Sequence, residues 1–292
     1  MKIYKIIVIS IFAFVMMSCV YSNNTPIVEP TSSRSISTST ATSGPVAAED
    51  FIPTMSSVRT NAQKLVQQLL EDNGGCRLPC WWGITPGKTT WTEAHQFLEK
   101  VSRSIGGHES GESFSVSVHV VLPYPYDFAP YMEQLYSVKN GVVDYIRVDN
   151  FDLAPKYNLH NFLETYGQPT EVWIRTYSKY EIQVHPFFVY LFYQDKGILV
   201  EYNTGDPLKE IDGKLQNCLV KGMDSPFIHL WSPETQNLSF QDARRFIDLK
   251  TVPEPEPRPL LEATGMDIKA FYETFKNPDT DACLETPKEL WP

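Results

Sequence analysis

The chain has 292 residues, with 25 lysines and arginines against 35 aspartates and glutamates, for a formal charge of −10 at neutral pH. That balance argues against nucleic acid as a partner and against a polybasic membrane patch, since both rely on clustered positive charge. A hydrophobic content of 42%, with 13% aromatic residues, excludes a chain that is disordered throughout, and the length admits one large domain or two small ones.

Residues 1–18 read as a secretory signal peptide. Lys2 and Lys5 form its charged end, Ile6 to Met17 its apolar core, and Ser18 is a small residue ahead of Cys19. The apolar run is shorter than the roughly 20 residues that span a bilayer, and the polar sequence after it offers no stop-transfer segment. A cysteine directly after such a core, preceded by a small residue, resembles the bacterial lipoprotein signal. In that family the peptide is cut before the cysteine, which then carries lipid such as palmitate. The resemblance implies lipidation of Cys19 and a protein held outside the cytoplasm at the cell membrane or outer membrane. Met16-Met17-Ser18 departs from the family's usual leucine three positions before the cysteine. Loss of residues 1–18 removes two lysines and no acid, moving the formal charge from −10 to about −12.

Residues 19–55 read as a tether, rich in Ser, Thr and Pro, as in Thr31-Ser32-Ser33 and Ser37-Thr38-Ser39-Thr40. Such a composition buries little apolar surface; as a flexible coil it spans roughly 30 Å. An α+β domain is expected over 56–232. Its first helix covers residues 56–72, with Val58, Ala62, Leu65, Val66, Leu69 and Leu70 on one stripe, and Asn73-Gly74-Gly75 ends it. A dense stretch follows, Cys76-Arg77-Leu78-Pro79-Cys80-Trp81-Trp82-Gly83, then a turn, Ile84 to Thr89. Thr90 or Thr92 caps a helix expected over residues 91–104, with a loop over residues 105–111.

From Phe114 to Leu122 the pattern alternates, with Val116, Val118 and Val120 on one side and Ser115, Ser117 and His119 on the other, as in a half-buried strand. Residues 123–130 form a loop. Met132 to Val138 and Val142 to Val148 are strands joined at Asn140-Gly141, a strong hairpin signal. A helix is then expected over residues 158–166, ended by Gly167, followed by strands at 171–176, 187–193 and 198–202. His95-Gln96-Phe97-Leu98 matches His160-Asn161-Phe162-Leu163, and Gly141-Val142-Val143 matches Gly197-Ile198-Leu199. Both units read as a helix followed by an antiparallel β-meander, so the expected fold class is α+β with two tandem repeats. Strands at 215–221 and 227–231 are expected to extend the sheet. A C-terminal extension over 233–292 holds a helix at 239–248, an extended Pro253 to Pro259 segment barred from helix and ladder by alternate prolines, a short helix at 266–275, and Cys283 in coil.

Gly83 to Thr89, the Phe97 and Phe162 helix positions, Gly167-Gln168-Pro169 and the two glycine hairpins resemble helix–meander modules of two families. These are the small lipoprotein of the outer-membrane β-barrel assembly machine and the tandem-repeat β-lactamase inhibitor protein. The resemblance covers residues 83–203 and implies protein binding through a sheet face. The first unit lacks the Gly-x-Pro that follows the second unit's helix. The Cys-x-Leu-Pro-Cys-Trp-Trp-Gly stretch resembles other bacterial lipoproteins.

With Cys19 assigned to lipid, Cys76, Cys80, Cys218 and Cys283 remain, an even number that suggests two disulfides in an exported protein. Of three possible pairings, Cys76–Cys80 and Cys218–Cys283 are favoured. The second ties the C-terminal extension back to the domain and closes a loop worth roughly 4 kcal/mol by chain entropy. A thioredoxin-type redox pair needs two intervening residues, whereas Cys76 and Cys80 have three.

Other chemistry is weakly supported. Gly83-Ile84-Thr85-Pro86-Gly87-Lys88-Thr89 lacks the spacing of a phosphate loop, and Pro86 removes an amide. His95, His108, His119, His160, His185 and His229 show no zinc spacing and read as surface or partly buried residues. No Gly-x-Ser-x-Gly elbow occurs. No catalytic residue, metal or cofactor is therefore assigned. Trp81 and Trp82, as neighbours on an extended segment, are expected to face opposite ways, one into the core and one over the disulfide; Trp82 is a candidate contact for a partner. The aromatic loop with Tyr124, Tyr126, Phe128 and Tyr131 is the best binding surface, since tyrosine-rich loops are apolar yet tolerate water. The expected function is a lipid-anchored, non-catalytic binding protein for a protein or envelope component. The alternatives are an envelope hydrolase or carbohydrate-binding enzyme, and a structural envelope lipoprotein.

Overall fold

The computed structural model describes residues 55–107, 109–122, 131–149, 155–177, 187–204, 209–219, 226–245 and 255–292. All fall in one compact unit, Ile52–Pro292. The signal peptide, Cys19 and the tether to residue 54 lie outside the described residues.

The protein is α+β and mostly antiparallel. Helix α1 (Met55–Asp72) is followed by α2 (Trp91–Leu98) and by strands β1 (Ser102–Gly107), β2 (Ser113–Val121), β3 (Tyr131–Lys139) and β4 (Val142–Val148). Helix α3 (Leu159–Tyr166) then leads into β5 (Glu171–Arg175), β6 (Phe187–Tyr193) and β7 (Ile198–Thr204). After β8 (Lys209–Ile211), β9 (Lys214–Asn217) and β10 (Phe227–Trp231) come α4 (Phe240–Arg244), β11 (Arg258–Pro259), α5 (Leu260–Thr264), α6 (Ile268–Phe275) and β12 (Leu284–Pro287). Nine strands form one sheet in the order β1-β2-β3-β4-β10-β7-β6-β5-β11; β12-β9-β8 form a second.

Local chemistry explains the helix ends. Thr90 accepts the Glu93 amide while the Glu93 carboxylate accepts the Thr90 amide, a capping box worth about 1 kcal/mol. Asn158 caps α3, and Gly167, at φ 77°, closes it. The β3–β4 hairpin turns on Asn140 (φ 52°) and Gly141 (φ 76°), the two left-handed residues a type I′ turn requires.

One face of the large sheet carries the main core. Val116, Val118, Val120, Tyr136, Ile146, Val148, Val189, Leu191, Val200 and Tyr202 are buried there with Val66, Leu69 and Leu70 of α1, Leu98 of α2, Phe162 and Leu163 of α3, and Phe271 and Phe275 of α6. A smaller cluster on the other face joins Tyr145, Tyr190, Phe192, Leu199 and Trp231 to Phe240 and Ala243 of α4.

Several expectations needed correction. Helix α2 stops at Leu98 rather than 104, and Ser102–Gly107, expected as helix end and loop, is strand β1. Val101 is fully buried and its carbonyl accepts the Val121 amide, so sheet pairing takes over from Ser102 onward. Strand β10 joins the large sheet as expected, but it does so in the middle, between β4 and β7. Strand β9 ends at Asn217 and belongs to the second sheet. The proline segment does enter a ladder, Arg258 opposite Ile174 and Pro259 opposite Trp173. An outermost strand tolerates proline because its missing amide can face away from the ladder. Cys283 lies in coil, as expected, directly before strand β12.

Both favoured disulfides are present, Cys76–Cys80 and Cys218–Cys283. The second joins the ends of two paired strands, since Leu284 lies opposite Asn217.

Candidate functional site

The Cys76–Cys80 loop is organised by a residue that spacing did not single out, Asn73. Its side-chain amide donates to the Cys76 and Cys80 carbonyls, each at 2.9 Å, and its side-chain oxygen accepts the Trp82 amide at 3.0 Å. Asn73 is buried at φ 60°; the Asp72-Asn73-Gly74-Gly75 run is the signal that could have exposed it, because asparagine tolerates the left-handed region. Trp81 and Ile84 exchange both backbone hydrogen bonds, at 2.8 and 2.9 Å, around Trp82 (φ 54°) and Gly83 (φ 85°). This tight turn overturns the expectation that the two indoles face opposite ways, which assumed extended backbone. They stack at 5.2 Å with 19° between planes, and both are buried, Trp82 to 3% exposure.

The following turn docks the first hairpin. The Gly87 amide donates to the Val143 carbonyl at 2.7 Å, and a β-carbon on Gly87 would meet Ser232 Cβ at 2.7 Å. Lys88 pairs with Glu234 at 3.2 Å on the surface.

Of the tyrosine loop, residues 123–130, with Tyr124, Tyr126 and Phe128, lie outside the described residues, as does the Tyr131 side chain. The ends of that loop are placed. Val121 pairs with Tyr131, so the loop leaves the sheet where β2 meets β3.

Next to that point, the second face of the sheet is open. On β2, Val116, Val118 and Val120 turn into the core, while Ser115, Ser117 and His119 stay exposed or half-exposed. On β3, Met132, Gln134, Tyr136 and Val138 are buried, and Glu133, Leu135 and Ser137 are half-exposed. Register aligns these positions. Ser104 faces His119, which faces Glu133; Ser117 faces Leu135, which faces Arg147; Ser115 faces Ser137. Ser104 Oγ and His119 Nδ1 are 3.0 Å apart, and the Ser115 and Ser137 hydroxyls 3.2 Å apart. Arg147 grips Asp149 through two hydrogen bonds, of 2.6 and 2.9 Å. Burial pushes the Asp149 carboxyl above its ordinary value, opposed by Arg147 and reinforced by Glu133.

The same face closes over beyond β4. Trp173 stacks on Phe240 of α4 at 4.4 Å and 7°. The Arg175 guanidinium lies 4.1 Å from the Phe188 ring centre and 4.0 Å from the Glu201 carboxylate. At the seam between the halves, Tyr145 OH and His229 Nδ1 share a hydrogen bond. His229, expected to be a surface or partly buried residue, is fully buried. Desolvation first, then the Arg147 charge, holds its pKa down to about 3, and burial holds the Tyr145 hydroxyl well above its ordinary value. His229 Nε2 and Trp231 Nε1 are buried without a hydrogen-bond partner. The seam is thus a buried, uncharged pair between a buried aromatic half and an open polar half.

A concave feature of about 500 Å³ lies beside the edge strand β11 and is lined by Trp173, Arg258, Glu262 and Trp291 among others. Among the described residues, no group of three or more His, Cys, Asp or Glu side chains is placed to hold a metal ion, and no helix is long and apolar enough to cross a membrane.

No family model, curated protein or solved structure matches this chain.

Proposed function

We propose that the chain is a lipid-anchored, extracytoplasmic binding protein that presents the open half of its large sheet, over β1 to β4, to a protein partner of the cell envelope. One observation supports this reading most directly: the face that α4 seals over β10, β7 and β6 is left half-exposed over β1 to β4. Its hydroxyls, imidazole, carboxylates and guanidinium surround the half-exposed Leu135, the mixture of polar and apolar surface that transient protein interfaces use. The tyrosine loop 123–130 springs from the same end. The two disulfides suit an oxidising compartment, and Cys19 with its polar tether suits a domain held clear of lipid headgroups.

The two helix–meander units, α2 with β2 to β4 and α3 with β5 to β7, are in our reading a degenerate tandem repeat. Each ends in a hairpin whose glycine carbonyl accepts a tryptophan amide: Gly141 from Trp91 at 2.8 Å, Gly197 from Trp231 at 3.0 Å.

Crosslinking and pull-down from the native envelope test the binding reading. Ser137→Arg, placed in the middle of the open half, is expected to abolish capture with the melting temperature unchanged. Capture that survives both Ser137→Arg and Leu135→Glu removes this face from the function. Fractionation of Cys19→Ala tests the anchor, which is excluded if the variant stays with the membrane.

A further inference from the structure

We propose that Ser104, His119 and Glu133 form a nucleophilic serine site that reacts with activated acyl esters, an activity separate from partner binding. The three residues stand in line on three adjacent strands. Ser104 on β1 is the register partner of His119 on β2, and His119 is the register partner of Glu133 on β3. Directly opposed residues on one face of a sheet hold their β-carbons about 5 Å apart, which brings hydroxyl, imidazole and carboxylate within side-chain reach of one another. The first contact is made: Ser104 Oγ lies 3.0 Å from His119 Nδ1. Ser104 is exposed, so an electrophile reaches it from solvent.

Two features set Ser104 apart from the other serines of this face. The pairing of β1 with β2 is irregular between Ser102 and Ser104, so Ser104 follows directly on a bulge, a device that re-aims side chains at sheet edges. Strand β1 is also the terminal strand of the sheet. Among the described residues no strand pairs with its outer edge, and free edge amides are the class of donor that a developing oxyanion takes. Ser115 has neither feature; its hydroxyl pairs with that of Ser137, which cannot act as a base.

The chemistry balances without a cofactor. Ser104 Oγ attacks the ester carbonyl carbon as its proton passes to His119 Nδ1. The carbon–oxygen bond to the alcohol breaks, and His119 returns the proton to the leaving oxygen, leaving an acyl ester on Ser104. Water, deprotonated by His119, then attacks that ester; the bond to Ser104 Oγ breaks, Ser104 regains its proton, and a carboxylic acid departs. Glu133, the register partner of His119 on β3, is a positioning residue whose carboxylate turns to the second ring nitrogen as the proton is transferred.

The test treats the full chain with a fluorophosphonate probe, in which Ser104 Oγ displaces fluoride from phosphorus, and maps the adduct by mass spectrometry. Label is expected on Ser104 and absent in Ser104→Ala. His119→Gln is expected to slow labelling about 100-fold or more, the contribution of a general base. Glu133→Gln slows it with the melting temperature unchanged, and Ser115→Ala labels at the parent's rate. An unlabelled Ser104 in the folded parent, or a His119→Gln variant that labels as fast as the parent, overturns the proposal. Partner capture measured with Ser104→Ala keeps this outcome separate from that of the binding reading.

Discussion

The backbone carbonyl of Trp231 occupies the space where a β-carbon on Gly197 would project, inside van der Waals contact. The same pair is joined by a hydrogen bond from the Trp231 amide to the Gly197 carbonyl at 3.0 Å. This close approach seats β10 beside β7 in the middle of the sheet.

Gly197→Ala should therefore be costly. The residue sits at φ 65°, where an L side chain is strained by about 1 kcal/mol, and the clash is with backbone that cannot swing away. A loss of roughly 3 kcal/mol is expected in denaturant unfolding. Gly141→Ala is the control: φ is 76°, but nothing lies within 4 Å of the added carbon. It should cost only about 1 kcal/mol, and equal losses for the two variants would contradict the steric account.

The acid limb of stability should carry the signature of His229. Its pKa is depressed to about 3 in the fold and returns to about 6.5 on unfolding. Below the unfolded value the unfolded chain binds a proton that the native state refuses. The stabilisation is complete above about pH 6.5 and fades as the pH falls toward 3, with a slope of at most about 1.4 kcal/mol per pH unit. His229→Gln should flatten unfolding free energy against pH across this window. An unchanged slope assigns the acid sensitivity to other groups.

The two disulfides should differ in weight. By loop entropy, Cys76–Cys80 contributes roughly 2 kcal/mol and Cys218–Cys283 roughly 4 kcal/mol. Paired Cys→Ser variants, compared in urea, are expected to keep that order.

Asn73→Ala should destabilise the Cys76–Trp82 loop even with its disulfide intact. The substitution removes partners from the Cys76 and Cys80 carbonyls and the Trp82 amide, and about 2 kcal/mol or more is expected. A loss near zero would show that the disulfide alone holds the loop.

Much of the local structure was legible in sequence because its causes are local. Alternation in Phe114 to Leu122, the Asn140-Gly141 turn, and the Asn158 and Gly167 helix ends depend on residues that neighbour one another, and the strands and helices they imply are present. Local reading failed where backbone left the assumed geometry. The left-handed Trp82 and Gly83 placed two indoles on one side of the chain, and the buried Val101 drew Ser102–Gly107 into the sheet.

By itself the sequence determined an acidic, α+β, antiparallel protein with four of its five cysteines suited to two disulfides, because charge, periodicity and turn chemistry are written residue by residue. Only the tertiary structure decided what lies beside what. Ser104 and His119 are 15 positions apart and Tyr145 and His229 are 84 apart, and no periodicity spans such gaps. Strand register sets both pairs. The insertion of β10 between β4 and β7, and the cover of α4 over one half of a face, then decide which polar residues are sealed as a neutral seam and which remain open to a partner.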